Sequence, residues 1–409
     1  MRKIIIAGLA MLTTLGAVLA VLLGSAASPV EATTAATANA VTTASTTTSL
    51  FDLANVSCVS ANFCVTVGEK AASARSPRIP LAMIWNGARW RETPTPLLKG
   101  GPVGYLSSVS CTSSSYCVAV GNYFKNKTSD IPVAVTWNGR AWTTRALPSL
   151  AGGQPYAEGI SCAAARHCVA GFIANPMPKS GQAFIDVLTG ATWAVRALTP
   201  PKGSEFAGFN SVSCVSVKHC VLAGVVYDRV GQASLLAAWN GKALSTMKAT
   251  ASFPAFLDGL SCAWAKSCVA VGTWFTGPAD LGYYEIWNGS IWKGARVLPQ
   301  PKAMVVSNPL AVSCATPASC LAVGYFRVPV KGNYPNQALA EVFNGTSWTR
   351  LSVPAVAGAA DVDFSAVSCL SATSCVAVGA ADYGTPPKYS MTALTGFWNG
   401  KSWRLVPAS

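Results

Sequence analysis

One unit, repeated seven times, governs this chain. Its first half is a pair of cysteines with five residues between them in an apolar frame. It reads VSCVSANFCVTVG at Cys58/Cys64, VSCTSSSYCVAVG at Cys111/Cys117, ISCAAARHCVAGF at Cys162/Cys168 and VSCVSVKHCVLAG at Cys214/Cys220. It continues as LSCAWAKSCVAVG at Cys262/Cys268, VSCATPASCLAVG at Cys314/Cys320 and VSCLSATSCVAVG at Cys369/Cys375. The second half follows as IWNGARW, TWNGRAW, VLTGATW, AWNGKAL, IWNGSIW, VFNGTSW and FWNGKSW. Successive first cysteines stand 53, 51, 52, 48, 52 and 55 residues apart. A period of this size restricts the fold to a solenoid or a propeller, because each unit must bury its apolar face against its neighbours.

Within a unit the apolar stretches alternate toward one face and none follows a helical period, so each reads as four strands. Asn-Gly joins the third to the fourth at Asn86, Asn138, Asn240, Asn288, Asn344 and Asn399, with Thr189-Gly190 as the variant. That dipeptide suits the positive φ angles of a tight hairpin turn. A β-solenoid is the alternative, but its coils use fewer residues and need no hairpin in every repeat. The expectation is an all-β, seven-bladed β-propeller of four antiparallel strands per blade, with residues 50–409 as one domain.

Fourteen cysteines at one fixed spacing predict seven disulfides, each pinning the hairpin between the first two strands of its own blade, and an oxidising compartment. Zinc is the competing use of cysteine, but Cys-x2-Cys spacing is absent and His167 and His219 occur in only two units. The N-terminus agrees with export. Arg2 and Lys3 precede an apolar run, and small residues follow through Ala32, so residues 1–32 read as a signal peptide, or as an anchor if uncleaved. Residues 33–49, a Thr/Ala tract without charge or aromatic side chains, read as a flexible linker.

Eleven of the 13 tryptophans fall in the second-half hairpins, and Leu188, Leu244 and Phe343 replace tryptophan in single units, as befits a packing position. Lysine and arginine exceed aspartate and glutamate by 30 to 16, a net charge of +14. Arg89, Arg91, Arg140, Arg145, Arg196, Lys242, Arg350, Lys401 and Arg404 sit in or just after the hairpins. Cations there protect the exposed edge of a blade from pairing with another sheet, and leave an attraction to anionic wall polymers. Nucleic acid is not an expected partner of an exported chain.

The positions four and six residues before each first cysteine vary while the frame does not. They supply Asp52, Tyr105, Tyr156, Glu158, Asn210, Phe256, Asp258, Asn308 and Asp363, expected on the loops that enter the innermost strands and converge on the central channel. Such a ring suits a sugar or a cation. Asp361-Val362-Asp363 adds oxygen ligands of the kind Ca²⁺ takes, the one cofactor the sequence leaves room for.

The WNGxxW hairpin resembles the Asp-box turn of sialidase-type propeller blades, although Asn or Thr stands where that box has Asp. The whole unit, VSCxSxxxCVAVG plus WNGxxW, resembles repeats of exported actinobacterial proteins of uncharacterised activity. The set of arginines and the Tyr/Glu pair of a sialidase is not assembled, and no G-x-S-x-G, H-E-x-x-H or phosphate loop is present. The leading expectation is a monomeric, secreted or surface-held, non-catalytic propeller that binds a polysaccharide, a cell-wall polymer or a protein. The alternative is an extracellular glycan hydrolase or lyase using Glu158 and Asp258.

Overall fold

The computed structural model describes residues 50–73, 75–96, 103–126, 129–148, 154–175, 182–199, 201–229, 231–250, 253–300, 303–330, 332–384 and 389–407. The expected signal segment and Thr/Ala linker lie outside them. The described residues form 28 strands and no helix. In the first unit β1 (Leu50–Ser60), β2 (Phe63–Ala71), β3 (Ile79–Trp85) and β4 (Trp90–Glu92) pair in order as an antiparallel meander. The same meander recurs over 103–146, 154–197, 204–247, 255–297, 306–350 and 361–407, here numbered blades 2 to 7.

The first strand of every blade lies against the first strand of the next, and that of blade 7 lies against β1. The innermost strands therefore form a closed ring of seven blades. Apolar side chains drive this stacking. Five residues before the first cysteine, Leu53, Leu106, Ala157, Phe209, Leu257 and Phe364 are all 0% exposed. Val65 and Val67 of blade 1 join Leu106, Val109, Val135 and Trp137 of blade 2 in one cluster. The closing seam is built alike: Leu53, Val56, Leu81 and Trp90 pack with Ala366, Val376, Val378 and Ala393 of blade 7.

All seven expected disulfides are present and no cysteine is free. They are Cys58–Cys64, Cys111–Cys117, Cys162–Cys168, Cys214–Cys220, Cys262–Cys268, Cys314–Cys320 and Cys369–Cys375. Each joins directly opposed residues, such as Cys58 and Cys64, with Cα atoms 3.9–4.0 Å apart. Each bridge pins the hairpin of its own blade as expected, and its two halves sit differently. The first cysteine of each pair is half-buried. The second, Cys64, Cys117, Cys168, Cys220, Cys268, Cys320 or Cys375, is buried and shares an apolar cluster with the preceding blade. Cys117, for example, packs with Val65 and Val67 of blade 1, and Cys64 closes the ring against Val376 and Val378 of blade 7. The inner sulfur is thus a small core side chain of the seam as well as half of a covalent clamp.

The hairpin tryptophans also oppose one another, with ring centroids 5.7 Å apart for Trp85–Trp90 and 5.4 Å for Trp137–Trp142. The Trp85, Trp137 and Trp287 indole N–H groups donate to the carbonyls of Ala61, Ser114 and Ala265, tying the third strand to the turn between the cysteines.

The serine that precedes each first cysteine has a role that crosses blades. Its hydroxyl oxygen accepts a hydrogen bond from the cysteine N–H of the following blade. Ser57 accepts from Cys111 at 3.0 Å, Ser110 from Cys162 at 2.9 Å and Ser161 from Cys214 at 3.0 Å. Ser213 accepts from Cys262, Ser261 from Cys314 and Ser313 from Cys369, all at 2.9 Å. Ser368 of blade 7 accepts from Cys58 at 3.0 Å, which completes the circle. An innermost strand has a sheet on one side only, and its other N–H groups need partners. The serines supply one per blade.

Candidate binding site on the innermost strands

The candidate positions lie within the innermost strands and not on loops leading into them, which corrects the sequence expectation. β1 already begins at Leu50, so Asp52 is inside the ladder. The residue four before each first cysteine is a β-bulge: the register skips Ala54, Ser107, Glu158, Asn210, Asp258, Leu310 and Ser365. A bulge leaves one residue out of the ladder and bends the strand.

In six blades the glycine that closes CVAVG lies against the first strand just before the bulge. A Cβ on Gly68 would lie 1.9 Å from the carbonyl oxygen of Asp52, and one on Gly121, Gly272 or Gly324 would lie 2.0 Å from that of Tyr105, Phe256 or Asn308. In those blades only glycine admits so close an approach of the first strand to the second. Blade 3 departs from this frame. Phe172 stands opposite Ala157 where the other blades have glycine, and it is fully buried and stacked on Phe184 at 4.5 Å. The departure falls on the blade that carries Tyr156 and Glu158.

The structure divides the candidates. Glu158 and Tyr156 both act on Tyr105: its hydroxyl is held well above its ordinary 10.0 by burial first, then by the charge of Glu158, then by Tyr156, Asp130 and Glu69. Asp52 opposes Glu69 in the β1–β2 ladder, and the Glu69 carboxylate accepts from Arg78 Nη1 at 2.5 Å. Glu69 and Arg78 are not among the sequence candidates, since both lie outside the repeated motif. Asp258 is 8% exposed and belongs with other groups: the hydroxyls of Tyr227 and Tyr283 are raised first by burial, with the charge of Asp258 a smaller contribution to both.

Two candidates brace the ring. Asn210 Nδ2 donates to the Leu257 carbonyl of blade 5 at 2.8 Å. Asn308, 4% exposed, accepts from Thr273 Oγ1 at 2.8 Å and donates to Tyr325 Oη at 3.3 Å, so its amide is used on both sides. Phe256 packs on Phe275 at 5.2 Å, and Asp363 is 8% exposed. Asp361, expected as a Ca²⁺ ligand, accepts the Asn336 backbone N–H of blade 6 at 2.6 Å. Among the described residues no group of three or more His, Cys, Asp or Glu is assembled in a metal-holding arrangement.

The ring defines a seven-bladed β-propeller with one disulfide in each blade. No protein-family model and no curated protein matches the sequence. Solved structures match the fold. YCF48 from Cyanidioschyzon merolae is similar with a TM-score of 0.50 at 13% identity, covering 83% of this chain and 95% of that one. A protein of unknown function from Dyadobacter fermentans is similar at 0.48 and 12% identity, over 70% of this chain and 93% of the other. The SapL1 lectin, solved with alpha methyl fucoside, is similar at 0.41 and 12% identity, over 70% of this chain and 91% of its own. At these identities the likeness is one of architecture.

Proposed function

We propose that this chain is an exported, non-catalytic binding propeller whose ligand is a polysaccharide, a cell-wall polymer or a protein, held on the innermost strands of blades 1 to 3. The observation that carries the reading is local. The blade whose bulge lacks the framework glycine is the blade that presents Tyr156 and Glu158 beside Tyr105. Tyrosine rings and a carboxylate together offer stacking and hydrogen bonding to a hydroxylated ligand or a peptide. Seven disulfides suit an oxidising compartment outside the cytoplasm. Among the described residues no helix is long and apolar enough to cross a membrane.

A glycan array and a reducing-sugar release assay on the same purified protein test this reading. Binding without turnover, weakened tenfold or more by Glu158→Gln or Tyr105→Phe, is the expected result. Sugar release abolished by Glu158→Gln would establish the hydrolase or lyase reading instead.

A further inference from the structure

In every blade the turn between the cysteines and the turn between the third and fourth strands lie side by side. A Cβ on Gly87 would meet the Asn62 side chain at 2.5 Å, and one on Gly241 or Gly289 would meet Lys218 at 3.0 Å or Lys266 at 2.7 Å. In blade 3 Gly190 N donates to the Arg166 carbonyl at 3.0 Å. Two turns from each of seven blades therefore build one face of the propeller.

Its charge has one sign. The turns at 61–62, 86–89, 114–115, 138–141, 165–166, 190–191, 217–218, 240–243, 265–266, 288–291, 317–318, 344–347, 372–373 and 399–402 contain no aspartate or glutamate. They carry Arg89, Arg140, Arg166, Lys218, Lys242, Lys266 and Lys401, all exposed. Every acidic residue from Asp52 to Asp382 lies in a strand instead, most near the opposite ends of the blades. Edge protection explains Arg91, Arg145, Arg196, Arg350 and Arg404, which stand on outermost strands. It does not reach cations at turn tips, where no ladder is exposed.

The same face carries the most exposed large apolar side chain of the described residues. Trp264, 66% exposed, stands beside the turn that holds Lys266, and Ile291, 58% exposed, is in the other turn of that blade. Val217, 43% exposed, and Lys218 and Lys242 occupy the turns of the adjoining blade 4.

We infer that this turn face binds an anionic glycan, a polymer of sugar units bearing carboxylate or phosphate groups. The cations of blades 1 to 5 meet its charges and Trp264 stacks on a sugar ring. The inference rests on the reading of the chain as a binding propeller, but uses the face opposite to most of its acids and none of the residues assigned above.

The probes are immobilised polygalacturonate and neutral dextran of matched length, with full-length protein in solution at 50, 100 and 200 mM NaCl, an about fourfold range of salt chosen because contacts with a polyanion weaken steeply across it. Binding to polygalacturonate and not to dextran is expected, falling with salt. The combined variant Arg140→Gln, Arg166→Gln, Lys218→Gln, Lys266→Gln should bind at least tenfold more weakly with a shallower salt dependence. Trp264→Ala should bind several-fold more weakly with the salt dependence unchanged, and Glu158→Gln should bind as the parent does. Equal binding to dextran, or a combined variant that keeps the parental affinity, would overturn the inference. So would tighter binding to duplex DNA or to phosphatidylglycerol vesicles than to the glycan. Ligands captured by the Tyr105–Glu158 site would survive any of those failures, and loss of those ligands alone would leave the turn face standing.

Discussion

Replacing Asp186 by asparagine should remove about half of the pH-dependent loss of stability that two fully buried carboxyls, Asp186 and Glu341, impose on this protein. Asp186 is 0% exposed, and neither carboxylate oxygen has a hydrogen-bond partner among the described residues. Its ladder partner Ala170, and Phe184 and Leu188 two places to either side, all belong to the apolar seam between blades 2 and 3. Burial pushes its carboxyl from an ordinary 3.8 to about 8. Glu341 occupies the same register in blade 6. It is also 0% exposed and is raised from 4.5 to about 8 by burial, which Arg350 across the ladder only partly offsets. Each group keeps its proton in the folded chain over a range where the unfolded chain has released it. Stability is therefore greatest at the acid end of that range and is lost as pH rises toward the folded value. Each proton held makes the slope about 1.4 kcal/mol per pH unit. From pH 5 to pH 7 the two groups together remove roughly 5 kcal/mol, and Asp186→Asn should leave about half of that loss. The asparagine carries its own cost of burial, but that cost does not vary with pH, so the slope is the quantity to compare. Urea unfolding followed by tryptophan fluorescence at pH 5, 6 and 7, with disulfides intact, gives it. Coincident slopes for parent and variant, or stability that rises with pH, would refute the reasoning.

Three further outcomes are expected. Ser368→Ala removes the acceptor of the Cys58 N–H and should cost about 1 kcal/mol, the same as Ser213→Ala at an internal seam; chemical denaturation of the two variants compares them directly. The Trp142 indole donates to Thr93 Oγ1 of the preceding blade at 2.9 Å, whereas the Trp90 indole N–H is buried without a partner among the described residues. Val406 stands in blade 7 where Thr93 stands in blade 1, so Val406→Thr should raise stability by about 1 kcal/mol in the same assay. Replacing Cys214 and Cys220 together by serine should cost about 2 kcal/mol on the loop-entropy account of so short a closed loop, plus about 1–3 kcal/mol for the hydroxyl buried at position 220 in the seam, with distant blades unaffected, as hydrogen exchange blade by blade would report.

The fold is legible because its determinants are local and repeated. Cys-x5-Cys encloses a hairpin and Asn-Gly turns one, so both act within a single blade. The serine before each cysteine is equally visible and equally repeated, yet its partner lies one blade away, and spacing alone does not name a partner 49 to 56 residues distant at the internal seams. The packing of Cys168 or Cys268 into the seam is hidden for the same reason, since a cysteine paired within its hairpin gives no sign of what lies behind it. The variable positions stand out in the sequence, but sequence does not separate Asn308, spent on Thr273 and Tyr325, from Tyr105 and the Glu158 whose charge acts on it. Asp186, Glu285 and Glu341 all stand two residues before the hairpin aromatic or leucine, acids in an apolar strand. That signal is present but easily passed over, because each looks like a single substitution. Glu285 is answered by Thr250 N and Oγ1 at 3.1 and 2.9 Å, a partner no spacing rule anticipates.

The serine circle also bears on where such a ring has to be cut. Ser368 and Cys58 make between blade 7 and blade 1 the bond that the other serines make along the continuous chain. The two flanking strands do not exchange places: the last strand, Trp403–Pro407, pairs within blade 7, and β1 pairs with that blade's third strand through Leu50 and Met391. Among the described residues no strand is exchanged at this seam, and the contacts made there by adjacency match those made along the continuous chain. A circular permutant opened between blades 4 and 5, with residues 407 and 50 joined by a short linker, would keep every seam's contacts while moving the gap in the chain halfway round. For this ring the order of blades around the circle matters, because seams such as Trp142–Thr93 and Asn210–Leu257 are particular to their neighbours, but which blade comes first does not.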